Sequence, residues 1–205
     1  MKILHIDCSI RGEQSISKQL SRLFITQLTD KLDEPEIQYL DLGVDPPSHP
    51  TALFIKGNYT HPSERTEEMI RELEESEALI EKMHWADLYV IGMPMYNWSV
   101  PSNFKSFIDN VVRIGRTFLL TDTGFQGLLN NKKVFVINTR GVDFSLELVQ
   151  PMDQLQPYLK TVFFFMGLTD VTYINVFPVK FAAPDKLAQA LEKAKEDIAA
   201  AVQTL

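Results

Sequence analysis

The stretch DLYVIGMPMYNWSVPSNFKSFID, residues 87–109, decides the fold. Its first seven residues form an apolar run of the length and composition of a buried strand. The loop that follows holds two prolines, an asparagine and two aromatic residues, and Ser102 then opens a helical pattern of apolar residues. A buried strand followed by a loop and a helix is the repeating unit of a parallel sheet.

Four further strand patterns alternate with helical patterns along the chain. Continuous apolar centres predict strands that are covered on both faces. The sequence therefore predicts an α/β fold with a five-stranded parallel sheet and helices on both faces. The flavodoxin-like doubly wound order 2-1-3-4-5 is the leading candidate, in a single domain over residues 1–205. The helix near residues 151–167 is expected to break or kink near Pro157. The five predicted strands are 2–7, 36–42, 87–93, 132–139 and 171–177.

Composition and charge exclude several classes of protein. The net charge of −7 argues against a nucleic-acid or anionic membrane surface. The single cysteine, Cys8, fits a reducing compartment. We expect a cytoplasmic protein, because no signal-peptide pattern and no apolar run of about 20 residues is present. The histidines lack metal-ligand spacing, so no metal is expected. There is no phosphate-loop, dinucleotide or nucleophile-elbow motif.

Ligands of such a sheet bind beyond the carboxyl ends of its strands. The loop after strand one, CSIRGEQSIS, carries Ser9, Ser15 and Ser17 ahead of a helix. Hydroxyl groups beside a helix N-terminus can bind a phosphate. A plain N-cap serine is equally compatible with the pattern, and the position after strand one favours a phosphate monoester.

The loop after strand three, PMYNWSVP, suits a flat heterocycle. Met95, Tyr96 and Trp98 can form its apolar walls, and Asn97 offers both a donor and an acceptor. These aromatic residues could instead belong to the core. In the loop after strand four, TRGVDF, Gly141 allows close approach of the backbone. Arg140 could position an anionic substrate or simply end a strand. A phosphate site beside a clamp for a flat ring describes flavin mononucleotide (FMN).

Together, these residues also match the pattern of a known family. The chain resembles, over essentially its whole length, the FMN-dependent NADH-azoreductases and NAD(P)H:quinone oxidoreductases. The resemblance rests on the serines ahead of QLS, on PMYNWSVPSNFKSFID, on TFLLTDTGFQGLLNNKK, on NTRG and on YLKTVFFFMGLTDV. It implies bound FMN, NADH or NADPH as electron donor, quinones or azo compounds as acceptors, and a homodimer with sites at the subunit interface.

The resemblance also implies roles for individual residues. The serines named above, with Ile16, would hold the phosphate, Pro94 to Trp98 would line the isoalloxazine, and the third loop would contact its pyrimidine end. No side chain is expected to act as a catalytic nucleophile, because the flavin supplies the chemistry. The predicted cofactor-binding residues are Ser9, Ser15, Ile16, Ser17, Pro94, Met95, Tyr96, Asn97, Trp98, Thr139, Arg140 and Gly141.

The chain departs from the family pattern at four positions. Val142 stands where relatives have a glycine, and Phe144 where they often have a histidine, which changes the surroundings of the ring's N1–C2=O edge. Leu120 and Val162 stand where relatives place aromatic residues over the ring. Leu120, Phe144 and Val162 are therefore predicted to line the substrate space.

Three functions remain open from the sequence. The first is a reductase that exchanges two planar substrates in turn above the flavin, a ping-pong cycle of two-electron transfers. The main alternative is a non-enzymatic, flavodoxin-like electron carrier, and a weaker one is a flavin-binding sensor or scaffold. The long segment FLLTDTGFQGLLNN, residues 118–131, favours the enzyme, because small carriers lack it.

Overall fold

The computed structural model describes residues 1–205. Its five-stranded sheet is parallel throughout, and its strand order, β2-β1-β3-β6-β7, confirms the predicted order 2-1-3-4-5. The sheet strands are β1 (Lys2–Asp7), β2 (Glu36–Asp41), β3 (Leu88–Pro94), β6 (Lys133–Thr139) and β7 (Asp170–Val176). A separate antiparallel hairpin consists of β4 (Phe118–Thr121) and β5 (Gly124–Gly127).

The chain forms six α-helices, of which five lie between strands and the last follows β7. They are α1 (Ile16–Lys31), α2 (Ala52–Tyr59), α3 (Glu67–Trp85), α4 (Ser102–Val111), α5 (Leu155–Met166) and α6 (Pro184–Gln203). Helices α3, α4 and α5 contribute to a core of 23 buried residues, while α1 and α6 contribute to another of 14. Alternate residues of β3 supply the two cores, so the helices cover both faces of the sheet as predicted. No helix combines the length and the apolar character that a membrane crossing would need.

The helix predicted over residues 151–167 is interrupted near Pro157, but the break precedes the proline. Helix α5 runs without interruption from Leu155 to Met166, and Pro157 lies in its first turn. A proline is tolerated there because the N–H that it lacks would have no partner within the helix. The chain bends earlier, at a 3₁₀ turn over Gln150–Met152. The Asp153 carboxylate then accepts hydrogen bonds from the backbone N–H groups of Leu155 and Gln156 at 2.9 and 3.1 Å.

Candidate functional site

A cavity of about 670 Å³ opens at the carboxyl edge of the sheet. The loops after β1, β3, β6 and β7 form its walls. This is the edge at which the strand order reverses between β1 and β3, where ligands of doubly wound sheets bind. The cavity brings together ten of the predicted cofactor-binding residues: Ser9, Ser15, Ile16, Pro94, Met95, Tyr96, Asn97, Trp98, Thr139 and Gly141.

One end of the cavity is the N-terminus of α1. Ser15 is the N-cap, and its Oγ accepts a hydrogen bond from the Lys18 N–H at 3.3 Å. The N–H groups of Ile16 and Ser17 have no acceptor within the chain. They are free for an anion, which the helix dipole also favours. Ser17 itself lies behind Ser15, with 3.0 Å between the two Oγ atoms, and its side chain does not line the cavity.

The start of α1 is fixed to the sheet by a buried polar network. Lys18, only 1 % exposed, donates to the Asp41 carboxylate at the end of β2. Ser21 donates to Asp7 Oδ1 at 2.7 Å, and Tyr39 donates to Asp7 Oδ2 at 2.9 Å. Burial, and then the nearby Asp7 charge, raises the pKa of Tyr39, so its hydroxyl remains a donor. The N–H groups at the start of α1 are therefore held in place before any ligand binds.

The middle of the cavity is a tight turn after β3. Tyr96 and Ser99 exchange two backbone hydrogen bonds of 3.0 Å, and Asn97 and Trp98 between them both have positive φ, as in a type I′ turn. Asparagine adopts this conformation readily, but tryptophan does so only at some cost in backbone strain. The turn leaves the Asn97 N–H without a partner in the chain and half-exposes the Trp98 ring.

Tyr96 links this turn to the loop after β1. Its hydroxyl lies 3.1 Å from Ser9 Oγ and accepts a hydrogen bond from the Ile10 N–H at 3.3 Å. The Met95 N–H donates to the Thr139 carbonyl at 2.8 Å, which ties the turn to the end of β6 on the other side. The three predicted loops therefore form one continuous wall.

Arg140 is oriented away from the cavity. Its guanidinium is buried, donates to Asn175 Oδ1 and Asp153 Oδ2 at 2.9 and 2.8 Å, and lies over the ring of Phe144. Burial lowers the pKa of Arg140, and Asp153 opposes that shift. Of the two roles considered for Arg140, the geometry supports a structural one, and it does not bring this side chain to a cofactor. The neighbouring Gly141 does line the cavity, and its N–H has no partner in the chain.

The three predicted substrate-lining residues lie outside the cavity of their own chain. Phe144 is buried against Trp98 and Phe177, with ring centroids 6.2 and 6.1 Å away. Leu120 is on the hairpin and 67 % exposed, and Val162 is half-buried on α5.

Six lining residues are not among the predicted cofactor-binding residues: Ile10, Arg11, Val142, Val179, Lys180 and Phe181. Of these, the sequence placed only Val142 beside the ring. Arg11 lies in the loop after β1, where the serine hydroxyl groups are the stronger signal for an anion site. The last three follow β7, the edge strand, whose loop was not expected to reach the site. Its sequence, PVKFAAPD, has a lysine beside a phenylalanine, both exposed in the structure, but this composition alone does not mark the loop as part of a site.

The fold and the cavity together define a flavodoxin-like protein whose cavity combines a helix N-terminus with an apolar wall. The model of the flavodoxin-like fold family matches residues 1–202. The FMN-dependent NADH:quinone oxidoreductase 1 of Trichormus variabilis is 41 % identical over 205 residues, which are 100 % of this chain and 97 % of that relative. The FMN-dependent NADH:quinone oxidoreductase of Delftia acidovorans is 39 % identical over 97 % of this chain and 93 % of its own. The chain belongs to the family of FMN-dependent NADH:quinone oxidoreductases.

Solved structures agree on the fold. An azoreductase from Bacillus anthracis superposes with a TM-score of 0.92 at 23 % identity, with all of both chains covered. An FMN-dependent NADH-azoreductase from the same organism, in complex with FMN, superposes with a TM-score of 0.88 at 22 % identity, covering 99 % of this chain and 98 % of that one.

Proposed function

We propose that this protein binds FMN and uses it to transfer electron pairs from NADH or NADPH to quinones and azo compounds. The observation that carries the proposal is the pairing, in one cavity, of an anion site at the α1 N-terminus with an apolar wall that presents free N–H groups. The names of relatives about 40 % identical over nearly the whole chain support it.

The residues present fit FMN. Ser15 and the N–H groups of Ile16 and Ser17 would receive its phosphate, and Arg11 would add a positive charge nearby. Met95 and Trp98 offer apolar surface for the ring. The cavity is within the size range of small-molecule sites. Asn97 and Gly141 would donate their free N–H groups to acceptors at the ring edge.

When bound, FMN would supply a two-step exchange, accepting a hydride from a nicotinamide and then returning two electrons to the second substrate. The protein's own contribution is to orient the ring and to exclude water from one side of it. No lining side chain is a strong nucleophile, and the only cysteine is buried.

A reductase needs an open approach to the ring, which a carrier would shield. The half-exposed Trp98 and the exposed Phe181 leave apolar surface accessible beside the site. This surface favours the enzyme over the electron carrier, and the names of the relatives favour it independently.

We further propose that the protein acts as a homodimer. Leu120 and Val162 lie outside the cavity of their own chain, so they could reach a ring only from a partner subunit. An exposed apolar surface on the hairpin and α5, called here the hairpin patch, is suited to such contact. The hairpin patch consists of Leu119, Leu120, Phe125 and Phe164.

The decisive test is anaerobic stopped-flow absorbance at the flavin band, with FMN-loaded protein mixed against NADH and then NADPH. Rapid bleaching followed by full recovery on adding a quinone is expected, and the faster nucleotide identifies the donor. If FMN binds but neither nucleotide bleaches it, the carrier function replaces the reductase.

A further inference from the structure

The cavity has a distinctive charge for this chain. The protein carries 27 acidic residues and a net charge of −7, yet no aspartate or glutamate lines the cavity. Two cations do, Arg11 and Lys180, and neither side chain has an ion-pair or hydrogen-bond partner in the structure. The charged side chains that line the cavity are therefore all positive, on a protein that is acidic overall.

The two cations lie at opposite ends of the cavity. Arg11 follows β1, beside the anion site of α1, whereas Lys180 follows β7. Strands β1 and β7 are three strand spacings apart in the sheet, a distance of about 14 Å at the usual spacing. Since a single phosphate at the start of α1 would meet Arg11, Lys180 remains available for a second anionic group.

The backbone around Lys180 is fixed against the loop after β6. The N–H groups of Lys180 and Phe181 both donate to the Gly141 carbonyl, at 3.2 and 3.0 Å, and the Val179 N–H donates to the Arg140 carbonyl at 3.0 Å. Lys180 Nζ lies 5.2 Å from the centroid of the Phe181 ring, which is 70 % exposed. An ammonium group beside an exposed aromatic face can contact both the charge and the ring of an aromatic anion.

Resting on the proposed function, we propose that Lys180, with Phe181, binds the anionic group of the planar ligand that is exchanged at this site. Two ligands have this chemistry: the donor, through its phosphates, and an acceptor that carries a sulfonate or carboxylate. Lys180 is in this view a specificity residue, because it favours charged ligands over neutral ligands of the same shape.

The test compares charged and neutral partners in the FMN-loaded native protein and in Lys180→Gln. The acceptor pair is 1,2-naphthoquinone-4-sulfonate and 1,2-naphthoquinone. The donor pair is NADH and the uncharged N-benzyl-1,4-dihydronicotinamide. For at least one pair, the ratio of kcat/KM, charged over neutral, should fall about three- to fivefold, the upper part of the range for an exposed ion pair. In the native protein that ratio should also fall with added salt.

Two further variants distinguish a contact of Lys180 with the ligand from an effect of the protein's overall charge. Lys186→Gln removes an equal charge from α6, outside the cavity lining, and should leave both ratios within about twofold. Lys180→Arg should retain most of the preference. Equilibrium binding of 2-naphthalenesulfonate, titrated by flavin fluorescence, gives a readout without turnover. Its Kd should rise in Lys180→Gln by about the same factor, while the neutral 2-naphthalenesulfonamide shows no comparable rise.

The outcomes are distinct. A fall in the acceptor ratio alone assigns Lys180 to the acceptor's acid group, and a fall in the donor ratio alone assigns it to the donor's phosphates. Ratios and sulfonate affinity that match those of the native protein would overturn the proposal. Absence of turnover of even the neutral pair by the native protein would instead contradict the proposed function.

Discussion

At the scale of single residues, Gly92 determines how closely α1 can approach the sheet. A Cβ at this position would lie 2.3 Å from Asp7 Oδ1, 2.9 Å from Ser21 Oγ and 3.1 Å from the Ser17 carbonyl oxygen. Gly92→Ala should therefore displace the start of α1. We expect a loss of about 1 to 3 kcal/mol in the free energy of unfolding and at least tenfold weaker FMN binding, measured by urea titration and by flavin fluorescence.

Gly57→Ala is the matched control for Gly92. Its added Cβ would meet only side-chain atoms of Met69 and Leu73, at 3.2 and 3.3 Å, on the α2–α3 side. This variant should keep the native FMN affinity. Native affinity in Gly92→Ala would mean that the position of α1 does not control the anion site.

The buried thiol of Cys8 makes stability depend on pH. Burial, and then the charge of Asp7, raises the pKa of Cys8 well above its ordinary value. The folded protein thus retains the thiol proton at a pH where the unfolded chain loses it, above about pH 8.5. Stability from this group is complete below that pH and decreases by up to about 1.4 kcal/mol per pH unit above it.

The Cys8→Ala variant isolates this contribution. It should be less stable than the native protein at pH 7, because it leaves a small cavity. The difference between the two free energies of unfolding should decrease between pH 8.5 and 10. Urea unfolding at pH 7, 8, 9 and 10 measures both curves. A gap of constant size would contradict the assigned protonation state.

At the scale of elements, the β4–β5 hairpin should determine the oligomeric state. It forms a sheet of its own, and Phe125 packs edge-on against Phe164 of α5, with 5.9 Å between the ring centroids. Phe164→Glu places a charge in the centre of the hairpin patch and should convert the proposed dimer into monomers, measured by sedimentation equilibrium. Turnover should fall with it, because Leu120 and Val162 would no longer reach the partner's site.

A matched control for Phe164→Glu is Ile37→Glu. Ile37 is an exposed apolar residue on the edge strand β2, and its replacement should leave the dimer intact. A dimeric Phe164→Glu variant with native turnover would place the interface elsewhere.

The elements also show how far sequence reasoning reaches. The central strands β1, β3 and β6 were predictable because they are buried on both faces and must be largely apolar. Helix α2 was missed, because its eight residues follow a proline-rich loop and carry no strong apolar period. The loop after β7 was missed for a different reason. Its position in the site depends on backbone bonds to Gly141, which leave no pattern in the sequence.

Local composition also could not settle the orientation of Arg140. Its position beside Gly141 suggested a ligand contact. The orientation of its side chain is determined by Asp153 and Asn175, which are 13 and 35 residues away in the chain. These residues contact the guanidinium only when α5 and β7 are packed together in the fold.

At the scale of the whole molecule, the two cores lie on opposite faces of one sheet, and the cavity opens at the carboxyl edge of that sheet. The helices on the two faces fix the strands, and the loops that leave the carboxyl ends are tied to each other by Tyr96, Met95 and Gly141. Ligand binding at this edge should therefore stabilise the entire fold rather than a single loop, since every wall belongs to a different strand.

This coupling predicts that FMN protects the protein against heat more strongly than riboflavin does. At 100 times its Kd, FMN should add about 2.7 kcal/mol, which corresponds to roughly 5 to 10 °C in Tm for a domain of this size. Riboflavin at the same concentration should add much less, because it offers no phosphate to Ser15 and the free N–H groups of α1. Differential scanning calorimetry of the apoprotein with each ligand measures the difference.

Replacing two comparable N-cap residues shows whether the stronger protection by FMN arises at the start of α1. Ser15→Ala and Thr66→Ala each remove a side chain that accepts a helix N–H, at the start of α1 and of α3, so each should cost about 1 kcal/mol without ligand. Only Ser15→Ala should reduce the difference between the Tm increases that FMN and riboflavin give, because only the α1 cap lines the cavity. An equal reduction in both variants would show that this difference reflects general stability and not a contact between Ser15 and the phosphate.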